Sequence, residues 1–348
     1  MGVVMTMGHL REINLPHTRE QVRHIMHALD PVEYEARGTE TTRRREYFVP
    51  FVNSVWHMDG HHKLIDWKIV IHGAIDGKSH VITFMHASDN NRADTVRGLF
   101  LGGTQQWGWP QRVRVDHGGE NLGVKLEMEL RRGEGRGSFI QGGPTHNQRI
   151  ERLWVDVRRG VVDKYRKIFE RLQDLDLLNN KDALHLYCLH HVYLTMINKS
   201  LKMWVASWNN HGMSTSGLGG MTPLGQWYMG GIAARRNGFH IEYRPWPSEE
   251  EEERLWQEYL EGVRLMDAAE YRVRGQGAQQ ERRPTERDSH VQVERFAGSL
   301  PPVLYNPLTI AYIEKEFGPP GGIEADDGMG RYAALLEFLQ NFLHRCTR

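Results

Sequence analysis

Cysteine is scarce in this chain. Only Cys188 and Cys346 occur among 348 residues, which excludes a disulfide framework and any zinc site built on several thiolates. No apolar run approaches the roughly 18 residues that span a bilayer, and the start, Met1-Gly2-Val3-Val4-Met5-Thr6, lacks a basic stretch followed by an apolar one. No membrane partner is expected, and an intracellular location is, with the nucleus as the compartment if the host is a eukaryote. Net charge is missing too: 44 Lys+Arg balance 44 Asp+Glu. What is present is a globular composition, 39% hydrophobic and 25% charged, long enough for two or three domains.

The charge balance is local. Residues 101–250 carry a basic surplus and residues 251–348 an acidic one. The basic excess is densest after residue 151, where Arg152, Arg158, Arg159, Lys164 and Arg166 follow one another, and a polyanion could dock there. A solvated helix face with acidic partners at i+3 and i+4 is the alternative.

Residues 3–30 read as two helices, the second opened by a Thr18/Gln21 capping box and carrying Val22, Ile25, Met26 and Leu29 on one face. They are either a helix-turn-helix or a plain helical hairpin. The stretch 31–50, with Arg43-Arg44-Arg45, reads as a linker or arm. Ser54–Met58, Lys68–Ile75 and His80–His86 are rich in β-formers, with a turn at Asp76-Gly77-Lys78-Ser79, so three antiparallel strands are expected. A helix through Val96, Leu99, Phe100 and Trp107 follows, then a strand over 112–116. The glycine-rich stretch 133–144 reads as a mobile loop. From His146 or Asn147, an apolar stripe through Ile150, Leu153, Trp154, Val157 and Val161 to Leu172 predicts a long helix. Further helices are expected over 181–208, from 249 to about 269, and over 332–342.

Three acids stand at the ends of these elements. Asp59 is expected to end the first strand, Asp116 the fourth, and Glu151 to lie near the start of the long helix. Each alone reads as a turn or cap residue. Together they would make a hard oxygen site suited to Mg²⁺ or Mn²⁺, and two such ions about 3.5–4 Å apart activate a nucleophile and stabilise a leaving oxygen at a phosphodiester. Asp59 and Asp116 are 57 positions apart, and Asp116 and Glu151 are 35.

That spacing resembles the integrase and transposase superfamily with a retroviral-integrase-type core, whose signature is Asp, Asp and Glu with the last pair about 35 residues apart. Trp56-His57-Met58-Asp59, Asp116-His117-Gly118-Gly119-Glu120-Asn121 and His146-Asn147-Gln148-Arg149-Ile150-Glu151-Arg152-Leu153-Trp154 are similar to the family's three motif strings. Trp208-Asn209-Asn210-His211 and Thr222-Pro223-Leu224 resemble the segment that closes such cores. More narrowly, Trp56 through Trp154 is similar to integrase-core proteins found as transposon-derived genes in animals and fungi. The resemblance covers about residues 50–230.

The resemblance implies an α/β fold, a ribonuclease H-like mixed five-stranded sheet flanked by helices, with helical N-terminal and C-terminal extensions. The expected division is a truncated helix-turn-helix-like DNA-binding region and linker over 1–48, the integrase catalytic core over 49–235, and a helical, acidic region over 236–348. It also implies catalytic and metal roles for Asp59, Asp116 and Glu151 with two Mg²⁺ or Mn²⁺ ions, Asp59 being shared between them. Asn147 and Arg158 would touch DNA, and Arg149, Arg152 and Arg159 would contact phosphates. Residues 133–144 would be a flap over the scissile phosphate. The implied activity is DNA cleavage and strand transfer, by a homo-oligomer that joins two ends. Val155 departs from the family, where a basic residue often stands, and the zinc-binding amino-terminal domain of retroviral integrases has no counterpart here.

Two other readings stay open. The protein is a catalytically silent, domesticated DNA-binding protein, or His57, Asp59, His61 and His62 form the metal site of a hydrolase.

Overall fold

The computed structural model describes residues 3–15, 17–29, 49–142, 147–213, 220–239, 241–242, 250, 254, 300–317 and 327–346. The arm with Arg43-Arg44-Arg45 lies outside them, as does nearly all of the helix expected from 249 to 269.

Five strands form one sheet in the order β3-β2-β1-β4-β5. They are β1 (Val55–Leu64), β2 (Ile69–Asp76), β3 (Ile82–Ser88), β4 (Arg112–Val115) and β5 (Phe139–Gln141). The first three are an antiparallel meander, while β4 and β5 run parallel to β1. This mixed sheet flanked by helices is the ribonuclease H-like arrangement. At the expected turn, buried Asp76 accepts hydrogen bonds from the Lys78 and Ser79 amides and the Ser79 hydroxyl at 2.7–3.1 Å. A carboxylate so engaged fixes the reversal into β3.

Helices cover both faces. On one, α3 (Ala93–Trp107) and α4 (Leu122–Arg132) bury Phe100, Val124 and Met128 against Trp56, Met58, Val113 and Val115. On the other lies α5 (Gln148–Val157), which runs through a π-helical turn, Arg158–Val162, into α6 (Asp163–Asp174). The long α7 (Ala183–Asn210) follows, its start capped by the Asp182 carboxylate on the Leu184 and His185 amides. Ile71, Ile75 and Ile82 meet Leu153, Val157, Leu189 and Val192 in this second core. The helix α8 (Pro223–Arg236) is capped by Thr222 with Pro223 in its first turn.

The extensions add to the same body. At the amino end, α1 (Val3–Glu12) lies on α7, where Gly8 is buried against the backbone of Ser207 and His211 and a side chain would not fit. The next helix, α2 (Arg19–Leu29), keeps the expected capping box: Thr18 Oγ1 accepts from the Gln21 amide, and Gln21 Oε1 from the Thr18 amide. At the other end, α9 (Pro307–Phe317) and α10 (Met329–Cys346) place Ile313, Tyr332, Leu335 and Leu339 in the α7 core. No described helix is long and apolar enough to cross a membrane.

Three expectations need correction. The first strand does not end at Asp59 but continues to Leu64, because β2 supplies ladder partners for Asp59, Gly60 and His61. The stretch 133–144 is not all loop, since Phe139–Gln141 pairs with β4 as the sheet's edge. The long helix is not uniform, having a π turn in its middle.

Candidate active site

Pairing decides where the two aspartates lie. Val55, Trp56 and His57 stand beside Arg112, Val113 and Arg114 in parallel register, so two residues further on Asp59 comes alongside Asp116, just past the end of β4. Glu151 is the fourth residue of α5 and half-buried. Two polar ties hold that helix to β1. Asn147, just before the helix, accepts from His57 Nδ1 through its Oδ1 at 2.7 Å and donates from Nδ2 to the Met58 carbonyl at 2.9 Å. Three residues beyond Glu151, Trp154 Nε1 donates to Asp59 Oδ2 at 2.8 Å, while the Gly60 amide donates to Asp59 Oδ1 at 2.8 Å.

Trp154 reaches the carboxylate because of a glycine. Gly73 on β2 is the cross-strand partner of Asp59, and a β-carbon there would stand 2.9 Å from Cη2 of the Trp154 ring. The missing side chain is the space that the indole occupies.

The electrostatics follow from burial and like charge. Asp59's carboxyl is pushed up to about 7, first by burial and then by the Asp116 and Glu151 carboxylates, against the Trp154 and Gly60 hydrogen bonds that favour its charged form. Glu151 is raised by burial and by Asp116. The neighbouring imidazoles of His57 and His61 are lowered to about 4, chiefly by burial, and are neutral at physiological pH. His61 tilts against the Trp154 ring with 5.1 Å between centroids. A cleft of about 350 Å³ opens beside these groups, lined by Gly60, His61, His62, Glu151, Val155 and Arg158.

The donor chemistry suits Mg²⁺ or Mn²⁺. Each oxygen of Asp59 accepts one hydrogen bond and keeps a second lone pair, and mutual repulsion among three carboxylates is what a divalent cation relieves. Among the described residues, however, no three His, Cys, Asp or Glu side chains are gathered closely enough to hold one ion between them. That applies equally to His57, Asp59, His61 and His62. Ions such as Mg²⁺ need only one or two protein carboxylates each and complete their shells with water.

The other expected residues divide. Asn147 is 1% exposed with its amide engaged on His57 and Met58, so it is a tie within the protein and not a surface contact, contrary to expectation. Arg149 is half-buried near His57. Arg152 is exposed and pairs with Asp156 at 3.1 Å, as the solvated-face alternative anticipates. Arg158 stands 3.8 Å from Asp163 and lines the cleft, and Arg159 is exposed on the π turn. Sequence reasoning missed Trp154's polar role, because Trp154 falls on the apolar stripe and its one N–H is invisible to periodicity.

Comparison with known proteins gives the family. The family model of the integrase core domain matches residues 46–238, more than half of the chain. Among solved structures, the HTLV-2 integrase catalytic core domain in complex with magnesium, in its trimeric form, is similar at 16% identity and a TM-score of 0.34, covering 51% of this chain and 97% of that one. The simian T-cell lymphotropic virus intasome in complex with PP2A regulatory subunit B56 gamma is similar at 14% identity and a TM-score of 0.35, covering 60% of this chain and 66% of that one. These likenesses are distant, and no curated protein matches the chain. The family assignment rests on the sequence match over the span that folds into the five-stranded sheet and its helices: the chain belongs to the integrase core domain family.

Proposed function

We propose that the chain is a DNA integrase or transposase-like enzyme, of transposon origin, that cleaves phosphodiesters and transfers strands with Asp59, Asp116 and Glu151 as its catalytic acids. One observation carries this reading: three acids far apart in sequence fall on two adjacent strands and the helix tied to them, where Asp116 lies near enough to raise the proton affinity of Asp59 and Glu151. Mg²⁺ or Mn²⁺, two ions when fully loaded, would activate the attacking oxygen and stabilise the leaving one. In this reading Asp59 is shared between the two ions, and Trp154 and the Gly60 amide hold its carboxylate in one rotamer. Arg149, Arg152, Arg158 and Arg159 neutralise phosphates, which makes binding fall steeply with salt. Water serves as the nucleophile for cleavage and a DNA 3′-hydroxyl for strand transfer, attacking in line with no covalent enzyme intermediate. The working form is a homo-oligomer, because two DNA ends must be brought together, and in a eukaryotic host it acts in the nucleus.

A second reading has one observation in its favour. The acids are not drawn into a compact group of three among the described residues, which fits a DNA-binding protein that has kept them without turnover. A strand-transfer assay with labelled duplex DNA and Mn²⁺ separates the two. The enzyme reading expects product from the parent protein, none from Asp116→Asn, and equal DNA binding by both. DNA binding with no product from the parent protein supports the second reading.

A further inference from the structure

A second cleft, of about 440 Å³, lies at the start of β1 and β4, ahead of the acids along both strands. Arg112, Arg114 and Arg136 line it, with Gln111 at one edge and Phe51 and Ile140 giving it an apolar wall. Among the described residues none of its lining side chains is acidic. Arg112 and Arg114 alternate on β4 and therefore point to the same face of the sheet. Ile140, the cross-strand partner of Arg114, stands on that face too. Arg112 and Arg136 are exposed, and Arg136 Nη2 donates to Gln111 Oε1 at 3.3 Å. Arg114 is half-buried, its Nε shielded from solvent without a hydrogen-bond partner. A buried guanidinium nitrogen left in that state costs free energy that an anionic oxygen would recover.

Place and chemistry suggest one class of ligand. Arg114 precedes Asp116 by two residues, so the cleft starts about 7 Å along the strand from the acids and its far end at Arg112 lies about 13 Å away. Guanidinium groups beside an aromatic wall are how proteins hold a single nucleic-acid strand, with phosphates on the arginines and a base against the ring. Phe51 presents such a ring, backed by Phe239 at 5.0 Å between centroids. We propose that this cleft binds a single DNA strand running from the acids towards the start of β4, with Arg112, Arg114 and Arg136 on its phosphates and Phe51 against a base. The assignment rests on the reading of the acids as a DNA-processing centre for the strand's direction, but not for the binding itself.

The test is fluorescence anisotropy of labelled oligo(dT) with the full chain across a salt series, without divalent cations. Arg112→Gln/Arg136→Gln, both at exposed positions, is expected to weaken binding about tenfold or more and to reduce the slope of log K against log salt by about 1.4, two phosphates at roughly 0.7 each. Phe51→Leu is expected to weaken binding and leave the slope unchanged, because a stacked base carries no counterion. Arg114→Gln alone should act like one phosphate contact, and thermal melting confirms that each variant is folded. An unchanged slope in the double variant overturns the proposal, as does a parent protein that fails to bind oligo(dT). Turnover is scored separately: failed strand transfer with these binding results intact would refute the enzyme reading and leave the strand-binding cleft standing.

Discussion

The chemistry at Asp59 depends on what Gly73 lacks. A β-carbon at that position meets the Trp154 ring at 2.9 Å, and Trp154 belongs to the helix that carries Glu151, so the ring cannot back away with its helix without moving that acid. Gly73→Ala is therefore expected to destabilise the protein by about 1–3 kcal/mol through overpacking and to break the Trp154–Asp59 hydrogen bond. The measurement is a urea titration together with the emission spectrum of the tryptophans. An unchanged midpoint would show that the indole has room to move. The acids were legible in the sequence through their spacing. Asp59's placement in mid-strand was not, because His57, Gly60 and His61 are poor β-formers that the neighbouring β2 recruits into the ladder.

At the scale of elements, the π turn is the feature to test. Gly160 lies within it, and a β-carbon there would press on the indole of Trp204, a buried residue of α7 stacked on Trp208. Gly160→Ala is expected to cost about 1–3 kcal/mol, although alanine favours helix over glycine by roughly 1 kcal/mol at an unconstrained site. A higher melting temperature in that variant would contradict the packing described. The same scale shows what sequence patterns conceal. Helix α4 escaped notice because its apolar residues lie on both faces: Val124 and Met128 are buried, while Leu122, Leu126 and Leu130 are 57%, 61% and 82% exposed, which erases a one-sided stripe. Strand β5 is only three residues long and sits among glycines, so the pairing with β4 makes it a strand where local propensity does not. Helix α8 was obscured by Gly225, Gly230 and Gly231. Gly230 is required there, since a β-carbon would meet Val52 Cγ1 at 2.6 Å.

For the whole molecule, buried titratable groups set the response to acid. Seven described histidines, His57, His61, His62, His72, His86, His191 and His211, have their proton affinity lowered mainly by burial. Such a histidine is neutral in the fold and takes up a proton on unfolding, so its stabilisation is present above pH 6.5 and lost as the pH falls, towards about 4 for His57, His61 and His72. Asp59, Asp76 and Glu151 act in the opposite sense: their carboxyls are raised, so the stability they contribute is full below their unfolded values and declines as pH rises, through about 7 for Asp59. Seven imidazoles oppose three carboxyls as the pH falls below 6.5, so unfolding is expected to take up protons and stability to fall with acid. Thermal melts without divalent cations should show a lower midpoint at pH 5 than at pH 7. A midpoint that rises on acidification would mean the carboxyls dominate. The extensions belong to this same body, since α1, α9 and α10 all pack on α7. That contact could not be read from the sequence, where the terminal helices are separated from the core by long polar stretches.

The central claim is that Asp59, Asp116 and Glu151 form one divalent-cation centre. Manganese electron paramagnetic resonance at pH 8 tests it most directly, following the free Mn²⁺ signal as metal is titrated into the full chain. The account predicts uptake of two ions per chain, with the exchange-coupled signal of a pair about 3.5–4 Å apart, and loss of that pair in Asp59→Asn and in Glu151→Gln. No uptake by the parent protein, or uptake that both substitutions leave intact, would contradict it.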